Sequence, residues 1–405
     1  MRRFLEKERQ RVARANQLLR FNKALKMRVA IIHDWLITTR GGEKCLESFC
    51  ELFPDADVYT LVYAPDRVSS LIKSMNIRAS RLNSIPGIER NYRYWLPLFP
   101  RMIESFDLRN YDLILSSSHC VAKGVFPHRA LHISYVHSPM RYVWDMHEAY
   151  FGHTGSVLTR VGMSFWRGYL QKWDVMASKR VDCFLANSQN VAAKIQRLYG
   201  RPATVIHPPV DLEKFRLGTR QEPYYLIVSA LVPYKRIDIA IRAFNETRAP
   251  LKVVGEGPLR SQLERSAGSN IEFLGWVDES TLAALYGSCH ALIFPGEEDF
   301  GIVPLEAQAC GRPVIAYAKG GVLETVMPVQ ANAEGAGSAS GIFFFEQTPA
   351  HLIEAVERYE RLQDRFNPEQ IRDHAAQFSA PRFRDQIRNY IQARLGERRG
   401  VTNPC

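Results

Sequence analysis

Two glutamates eight residues apart, Glu298 and Glu306, mark the segment of the sequence that is best suited to chemistry. Between them, Gly301–Val303 precedes Pro304, and proline favours the first position of a helix. We therefore predict that Glu298 lies on a loop after a strand at 291–294 and that Glu306 lies in the first helical turn. Backbone N–H groups at this helix start would bind a diphosphate, while the carboxylates would accept hydrogen bonds from sugar hydroxyls. An alternative is that both carboxylates only stabilise the helix N-terminus electrostatically.

Cations and glycines suited to phosphate occur in two further places. Lys235 follows a strand predicted at 225–229 and is a compact cation that suits a leaving diphosphate, with Arg236 directly after it. The pair Gly41 and Gly42 would let backbone approach a phosphate closely. Simpler interpretations stay open, because a solvated helix start also uses lysine and arginine, and many turns use two glycines.

Polar side chains follow several apolar segments at the point where each predicted strand ends. Asp34, His119 and His137 all occupy such positions, and parallel α/β sheets bind their ligands at the carboxyl ends of strands. A single histidine at a strand end is more often structural, and this alternative applies to both histidines.

The elements that must position these residues form two β-α-β series placed end to end. The predicted strands lie at 28–33, 111–116, 131–136 and 181–186, and then at 225–229, 251–254, 271–274, 291–294 and 313–316; helices are predicted at 45–53 and 237–247. This alternation predicts an α/β fold with two doubly wound, parallel sheets. The paired prolines within 207–211 indicate the domain boundary. No G-x-G-x-x-G follows the first strand, which counts against a nicotinamide dehydrogenase.

Many ordered motifs of the chain resemble the retaining glycosyltransferases of family 4. The matching segments are the Glu298–Glu306 spacing with its Phe-Gly insert, 33–36, 41–42, 135–141, 186–188, 208–211, 231–236, 255–258 and 320–322. The resemblance runs from about residue 27 to about residue 394. It implies the GT-B fold, in which two Rossmann-like domains face each other across a cleft. The implied domains are 27–207 on the acceptor side and 208–379 for the nucleotide sugar, with a last helix at 380–395 that returns to the first domain.

The resemblance also implies roles for individual residues in the transfer of a hexosyl group with retained anomeric configuration. Glu298 would hold sugar hydroxyls, His137 would contact the transferred sugar and Lys235 would stabilise the leaving diphosphate. The donor-binding residues would be Gly41, Gly42, Lys235, Arg236, Phe300, Gly301, Ile302, Val303 and Glu306, with Glu306 on the ribose. Asp34 and His119 would lie on the acceptor side. The family usually has an arginine where this chain has Ala230, and Arg236 is the candidate to supply that charge.

Within the family, the chain is most similar to O-antigen-type mannosyltransferases. This similarity implies GDP-mannose or a UDP-sugar as donor and a glycan or lipid-linked acceptor in cell-surface polysaccharide synthesis. Asp55 and Asp57 match the D-x-D metal motif of another glycosyltransferase fold, but they read better as a turn before a strand. No cofactor and no metal are therefore expected. A GT-B sugar-nucleotide epimerase and a non-enzymatic basic binder of membrane or nucleic acid are the alternative functions.

Composition and charge narrow the class of protein further. The 405 residues are 46% hydrophobic and 23% charged, which is typical of a folded globular chain. No uncharged apolar run reaches 18 residues and no apolar stretch follows Met1, so we expect a cytoplasmic protein. Seven cysteines without a C-x-x-C pair favour reduced thiols. Residues 1–26 carry +7 of the net charge of +11, which argues against a nucleic-acid-binding face on the folded body.

Two segments leave the question of membrane contact open. Residues 1–26 fit a basic interfacial helix on anionic lipid, a disordered tail, or a segment upstream of a natural start at Met27. Residues 92–103 combine aromatic side chains with two arginines, and they fit either a surface in contact with lipid or a buried helix broken by proline. Peripheral contact with the inner face of the membrane is thus one alternative to a purely cytoplasmic location.

Overall fold

The structure of the chain is a computed structural model that describes residues 27–38, 41–141, 143–144, 157–218, 220–329 and 339–401, without side-chain detail at 157–165 and 399–401. The predictions for residues 1–26, and most of a loop predicted at 331–341, lie outside the described residues.

The first sheet has seven strands in the order β3-β2-β1-β4-β5-β6-β7. Its strands are β1 (Val29–His33), β2 (Asp57–Thr60), β3 (Asn76–Ala79), β4 (Leu113–Ser118), β5 (Leu131–Val136), β6 (Cys183–Ala186) and β7 (Ala203–Val205). All neighbouring pairs from β3 to β6 are parallel. Every residue of β1 is buried, as expected for a central strand that is covered on both faces.

Helices cover this first sheet and connect its strands. They are α1 (Gly41–Leu52), α2 (Ser70–Lys73), α3 (Ile88–Asn91), α4 (Phe99–Glu104), α5 (Val157–Ser178) and α6 (Gln189–Tyr199). Short 3₁₀ turns lie at Pro65–Arg67, Arg81–Ser84, Tyr92–Leu98 and Ala122–Gly124.

The second sheet has six strands, all parallel, in the order β10-β9-β8-β11-β12-β13. Its strands are β8 (Tyr225–Val228), β9 (Leu251–Val254), β10 (Ile271–Gly275), β11 (Leu292–Phe294), β12 (Val314–Tyr317) and β13 (Gly341–Phe344). Tyr225 and Ile227 pack into one apolar cluster and Leu226 packs into another. Since successive side chains of a strand point to opposite faces, both faces of this sheet are covered.

The helices of the second half are α7 (Ile237–Thr247), α8 (Arg260–Ser266), α9 (Glu279–Ser288), α10 (Ile302–Ala309), α11 (Val322–Thr325), α12 (Pro349–Leu362), α13 (Pro368–Ala376) and α14 (Ala380–Val401). Two further 3₁₀ turns lie at Pro233–Lys235 and Gln363–Arg365. Three of these helices begin with a side-chain cap, from Asp278, Thr348 and Asn367.

The described chain divides into two compact units. The first comprises the residues up to Ala186, Ile195–Thr204 and the last helix from Arg384 onward. The second comprises Asn187–Lys194 and Val205–Phe383. Each unit therefore contains one of the two parallel sheets.

Several predicted elements are confirmed, and the differences have physical causes. Helix Ile237–Thr247 and strand Leu251–Val254 have the predicted bounds. Strands β3, β7 and β13, which lie at sheet edges, were not predicted. In β3 and β7 no residue is fully buried, so no apolar run marks these strands in the sequence.

Residues 92–103 contain both buried and exposed side chains. Tyr92, Leu96 and Phe99 are buried in the core of the first unit. Tyr94 and Leu98 on the same segment are 79% and 42% exposed. None of the described helices is both long enough and apolar enough to cross a bilayer.

Candidate active site

Both sheets have a point where the strand order reverses, and the predicted site residues gather at these points. In the first sheet the reversal lies between β1 and β4, and in the second it lies between β8 and β11. In doubly wound proteins, the loops of the two strands diverge at such a point. Ligands bind in the crevice that this leaves at the carboxyl ends of the strands. His33 ends β1, whereas Lys235 and Glu298 follow β8 and β11.

In the second unit, the structure brings Lys235 and Glu298 together as an ion pair. The two side chains are only 17% and 13% exposed. Lys235 ends the short 3₁₀ turn Pro233–Lys235, and Glu298 lies on the loop after β11. Lys235 thus partly encloses the Glu298 carboxylate. A paired cation at a strand edge can exchange its carboxylate for a phosphate.

Glycines allow the loops at this edge to pack backbone against backbone. A Cβ atom on Gly296 would lie 2.9 Å from the Cα of Lys235, and one on Gly320 would lie 2.3 Å from the carbonyl oxygen of Glu298. A Cβ on Gly257 would lie 2.4 Å from the carbonyl oxygen of Leu231. These distances are shorter than real contacts, so any larger residue would push the loops apart. The Gly-rich motifs near 255–258 and 320–321 thus hold Lys235 and Glu298 in register.

Helix α10 begins two residues earlier than its proline predicted. Gly301, with φ of 86°, is the N-cap and Ile302 is the first helical residue, so Pro304 occupies the third position. Val303 and Ile302 are partly buried, and Gly301 has no side chain with which to cap the first N–H groups. Glu306 consequently lies in the second turn, not the first as predicted.

Glu306 and Phe300 have partners inside the second unit. The hydroxyl of Tyr286 donates a hydrogen bond of 2.8 Å to Oε2 of Glu306. The Phe300 ring is 4% exposed and stacks on His207 at a ring separation of 5.7 Å. Phe300 can therefore meet a donor only through its backbone.

Arg236 has a backbone conformation that is unusual for a residue with a side chain. Its φ is 52°, and it forms the N-cap position of helix α7. Its guanidinium Nε lies 3.2 Å from Oδ1 of Asp238, and its side chain is 37% exposed. Arg236 is thus engaged with its own helix start, while Ala230 is only partly buried nearby in the sequence.

In the first unit, Asp34 is fully buried and holds the loop after β4. Its two carboxylate oxygens accept backbone N–H groups from His119, Cys120, Val121 and Ala122 at 2.6–2.9 Å. Burial would raise the pKa of Asp34, but the nearby His119 and the donated backbone hydrogen bonds lower it. A carboxylate enclosed in this way fixes the conformation of the loop. Both of its oxygens are engaged, so it is poorly placed to bind the acceptor substrate.

His119 lies on the loop that Asp34 holds. Its Nδ1 is 3.2 Å from Oδ2 of Asp34, and its ring packs edge-on against Trp35. Burial lowers the pKa of His119, although Asp34 opposes the shift. His119 therefore presents a largely neutral ring, held on one side by carboxylate and on the other by indole.

His137 belongs to a connected set of polar side chains at the same edge. Its Nε2 lies 2.8 Å from Oγ of Ser117, and the same hydroxyl lies 3.0 Å from Nδ1 of His33. Nε2 of His33 is in turn 3.7 Å from Oε1 of Glu43. Burial, together with neighbouring His119 and His33, lowers the pKa of His137 to about 3. Its ring is therefore neutral at pH 7.

Gly41 and Gly42 are the first residues of a helix that was predicted to start only at residue 45. Helix α1 starts at Gly41, and Glu43 lies in its first turn. A Cβ atom on Gly42 would lie 3.7 Å from Nε2 of His137 and 3.8 Å from Cε1 of His33. A side chain at this position would therefore lie against both rings.

Sequence reasoning missed Ser117 and Glu43, which link the predicted His137 to the helix start. A signal was present in both cases. Ser117 is one of three consecutive serines that end an otherwise apolar strand, and Glu43 directly follows the glycine pair. A polar residue at the buried end of a strand requires a hydrogen-bond partner.

Asp57 lies at the amino end of β2, whereas the site residues lie at the carboxyl ends of strands. Asp57 begins β2, and its carboxylate accepts hydrogen bonds from Asn76 and Tyr111, with Nε of Arg78 at 3.4 Å. Across the part of the chain that the structure describes, no group of three His, Cys, Asp or Glu residues is arranged as metal ligands.

Comparison with known families divides the chain in the same way as the two sheets. Residues 39–214 match the model of Glycosyltransferase Family 4, and residues 210–377 match that of Glycosyl transferases group 1. The two matches are consecutive and together extend over most of the chain.

Individual proteins similar to this chain include the O-antigen chain mannosyltransferase C of Escherichia coli. It is 30% identical over 154 residues, which are 34% of this chain and 42% of that protein, so the match spans less than half of its length. Among solved structures, the sucrose-phosphate synthase of Thermosynechococcus elongatus superposes with a TM-score of 0.69 at 18% identity, covering 92% of this chain and all of that one. The HepE protein of Anabaena, solved with UDP and glucose, gives 0.63 at 17% identity, covering 90% and 99%.

Proposed function

We propose that this chain, a family 4-like glycosyltransferase with the GT-B fold, transfers a hexosyl group from a nucleotide sugar to an acceptor hydroxyl with retained anomeric configuration. The observation that carries the proposal is the Lys235–Glu298 ion pair at the strand-order reversal of the second sheet. The lysine cation suits the diphosphate of a nucleotide sugar, and the carboxylate suits the sugar hydroxyls. Both groups precede helix α10 in the second unit.

In this proposal the second unit stabilises the negative charge that develops on the leaving diphosphate. Lys235 supplies a formal charge, and the first N–H groups of helix α10 supply aligned donors. Glu298 exchanges its lysine contact for hydroxyl groups of the donor sugar. Glu306 keeps one oxygen on Tyr286 and offers the other to the ribose.

In the first unit, His137 contacts the transferred sugar beside Gly42. Its neutral ring forms hydrogen bonds without competing for the diphosphate. The acceptor hydroxyl attacks from the same face that the diphosphate leaves, and the leaving phosphate takes the acceptor proton. This front-face route gives retention without a covalent intermediate.

The sugar that we propose is mannose, from GDP-mannose, with a UDP-sugar as the alternative donor. Similarity to an O-antigen chain mannosyltransferase supports mannose, whereas the HepE structure with UDP and glucose supports a uridine donor. The proposed acceptor is a glycan or lipid-linked chain in cell-surface polysaccharide synthesis. No nucleic acid is expected as partner.

We also propose that transfer needs no metal ion or other cofactor. The Asp57 carboxylate already accepts hydrogen bonds from Asn76 and Tyr111, so it has little capacity left for a divalent cation. EDTA should leave the rate of transfer unchanged. Loss of activity on chelation, restored by Mg²⁺ or Mn²⁺, would contradict this part of the proposal.

The proposed location is the cytoplasm, with peripheral contact at the inner face of the membrane. Exposed Tyr94 and Leu98 lie beside Arg93 and Arg101, which are also exposed. An aromatic and aliphatic surface bordered by arginines suits an anionic lipid interface.

The experiment that tests the function measures thermal stabilisation by a panel of nucleotide sugars, followed by NMR of the best donor with and without a glycan acceptor. We expect one donor to raise the melting temperature and to give a glycoside with the donor's anomeric configuration. An isomerised sugar nucleotide formed from the donor alone would indicate an epimerase instead. No stabilisation by any nucleotide sugar or nucleoside diphosphate would contradict both functions.

A further inference from the structure

Asp299 directly follows Glu298 on the loop after β11, but its side chain has a different partner. Its Oδ1 lies 2.8 Å from Nζ of Lys194 on helix α6, and the side chains of this lysine and aspartate are 17% and 4% exposed. Glu298 pairs with Lys235 instead. Two adjacent carboxylates are therefore held by lysines from two separate segments of the second unit.

Two further contacts join Asp299 to the start of helix α6. The side-chain amide of Asn190 donates to Oδ1 of Asp299 at 3.2 Å, and the Ser188 hydroxyl donates to the Asp299 backbone carbonyl oxygen at 2.6 Å. Asn190 and Lys194 are four residues apart, so they share one face of the helix. Both the side chain and the backbone of Asp299 are thus bound to the segment Asn187–Lys194.

The start of helix α6 is itself fixed within the second unit. The N–H groups of Gln189 and Asn190 donate to the Glu324 carboxylate at 2.8 and 3.2 Å. The N–H of Val191 donates to Oγ of Ser188 at 3.0 Å. The first N–H groups of a helix have no partner within the helix, and here two side chains satisfy three of them. This turn is therefore a stable support for the loop that it contacts.

A second segment restrains the main chain of the same loop. The N–H of Gly321 donates to the carbonyl oxygen of Glu298 at 2.8 Å. A Cβ atom on Gly321 would lie 2.4 Å from the carbonyl oxygen of Asp299. These contacts reach backbone atoms, whereas the direction of each carboxylate depends on its own lysine pair.

We infer that Lys194 and Asp299 are positioning residues that hold Glu298 in its place at the carboxyl edge of the second sheet. Adjacent residues share a peptide unit, so a backbone rotation that moves Glu298 also moves Asp299. The Asp299 carboxylate is buried, and a buried charge that leaves its partner is uncompensated at high cost. The inference rests on the proposed function in one respect, because its effect on the reaction is exerted through Glu298.

The same loop supplies a matched control. Glu297 directly precedes Glu298 and pairs with Lys319 at 3.0 Å, but the side chains of this glutamate and lysine are 38% and 59% exposed. Water replaces an exposed ion pair at low cost. Lys319→Met therefore removes a lysine–carboxylate pair next to Glu298 without leaving a buried charge unpaired.

Hydrogen–deuterium exchange of the full-length protein tests the restraint without any donor. The probe is the Gly321 amide, which is protected by its hydrogen bond to the Glu298 carbonyl oxygen. In Lys194→Met this amide should exchange about ten-fold faster than in wild type, because the unpaired Asp299 carboxylate favours loop conformations in which it reaches water. Exchange in Lys319→Met should match wild type.

Two further variants keep the exchange test decisive. Asp299→Asn keeps the shape of the side chain and an oxygen for Asn190 but removes the charge, so it should also increase exchange at Gly321. Lys194→Arg keeps the cation and should restore most of the protection that Lys194→Met loses. Unchanged exchange in Lys194→Met, or in Asp299→Asn if the first variant does not fold, would overturn the inference. An equal increase in Lys319→Met would overturn it as well.

Kinetics test the positioning role once a donor is known. Lys194→Met and Asp299→Asn should each lower kcat for transfer by about ten-fold, because Glu298 is misplaced. The affinity for a nucleoside diphosphate should change by less than about two-fold, since Lys235 is retained. Lys194→Arg should recover most of kcat.

Two kinetic outcomes would overturn the positioning role. One is an unchanged kcat in a variant whose Gly321 amide exchanges faster. The other is a loss of diphosphate affinity as large as the loss of kcat, which would indicate general disruption of the site. The exchange measurement needs no nucleotide sugar, so failure of the proposed function and failure of this inference give different results.

Discussion

The carboxyl edges of the two sheets use different physical means to prepare polar groups for a substrate. At the first edge, Ser117 and His33 are fully buried and connected by hydrogen bonds. At the second edge, Lys235 and Glu298 are formally charged, paired with each other and partly exposed. Both sheets have a strand-order reversal. The first sheet presents oriented hydrogen-bonding groups there, and the second presents charged groups.

In the proposed function, this difference corresponds to the two parts of a sugar nucleotide. A diphosphate needs cations and N–H donors that are accessible before it binds, and exposed charges exchange partners at low cost. Sugar hydroxyls need donors and acceptors in fixed directions, and burial keeps tautomers and rotamers fixed. Substitutions at one edge should therefore leave the function of the other edge intact.

The largest effect is expected from Glu298→Ala, which removes the carboxylate from the charged edge. Transfer should fall by about 100-fold or more, because the donor sugar loses a positioning partner at the reacting centre. Lys235 loses its competing carboxylate, so the affinity for a nucleoside diphosphate should be unchanged or tighter. Steady-state kinetics and calorimetry measure the two quantities.

Glu297→Ala is the matched control for Glu298→Ala. Glu297 lies on the same loop, but its partner is the exposed Lys319 at 3.0 Å. This variant should retain nearly normal turnover. Near-normal turnover in Glu298→Ala itself would contradict the assigned role.

His137→Gln tests the hydrogen-bonded edge and should have a smaller effect. We expect transfer to fall by about ten-fold, because one directional hydrogen bond to the sugar is altered. Nucleoside diphosphate affinity should not change. Since the pKa of His137 is held near 3, its titration should produce no acid limb in the pH–rate profile between pH 5 and 8. An acid limb that disappears in His137→Gln would show that the ring is charged during the reaction.

Acid should destabilise the first unit through its buried histidines. Burial lowers the pKa of His132 to about 4 and, with neighbouring rings, that of His137 to about 3. Between pH 6.5 and 4 the unfolded chain binds protons that the folded chain excludes, so the free energy of unfolding decreases as pH falls. Each unit of pKa difference corresponds to about 1.4 kcal/mol.

Melting curves of wild type and His132→Gln check this stability effect. The variant should be less stable than wild type at pH 7.5, because a buried hydrogen bond to Ser116 is altered. The difference should shrink toward pH 4.5, because glutamine has no proton to exclude. A difference that is constant over this range would show that His132 does not carry the pH dependence.

The smallest effect is expected from removal of residues 1–26. A chain that starts at Met27 should fold and bind donor normally, since the matched family region begins beyond this segment. Melting temperature and donor affinity measure this. A chain that cannot fold would show that the segment packs against the body.

Binding to anionic vesicles separates the two interpretations of the same segment. A basic interfacial helix predicts that truncation lowers binding in a salt-sensitive way. A simple tail predicts equal binding by both chains, with any attachment depending on the exposed surface around Tyr94.

Much of the fold could be predicted from the sequence because central parallel strands are continuous apolar runs. The missed strands Asn76–Ala79 and Ala203–Val205 contain no buried residue, so no apolar run marks them. The helix start near Glu298 was misplaced because Gly301 adopts φ of 86°, and this conformation depends on how the loop packs.

The residues of the candidate site could be predicted only where they belong to a recognisable sequence motif. Lys235 and Glu298 are recognisable by spacing, but their mutual ion pair depends on close loop packing at Gly296 and Gly320. Ser117 could not be singled out, because its importance comes from strand neighbours that are 84 residues away on one side and 20 on the other. Long-range pairing of this kind is a property of topology rather than of local sequence.

Lys235 at the charged edge is proposed to bind the diphosphate of a donor. Calorimetric titration with GDP and UDP tests this role most directly. Lys235→Ala should weaken binding of the preferred diphosphate by about ten-fold or more, because a charged hydrogen bond to phosphate is lost. Arg236→Ala should have a smaller effect, since that guanidinium already pairs with Asp238, and His137→Gln should have none. Unchanged affinity in Lys235→Ala, or a loss in His137→Gln instead, would contradict the assignment of charge to the second edge.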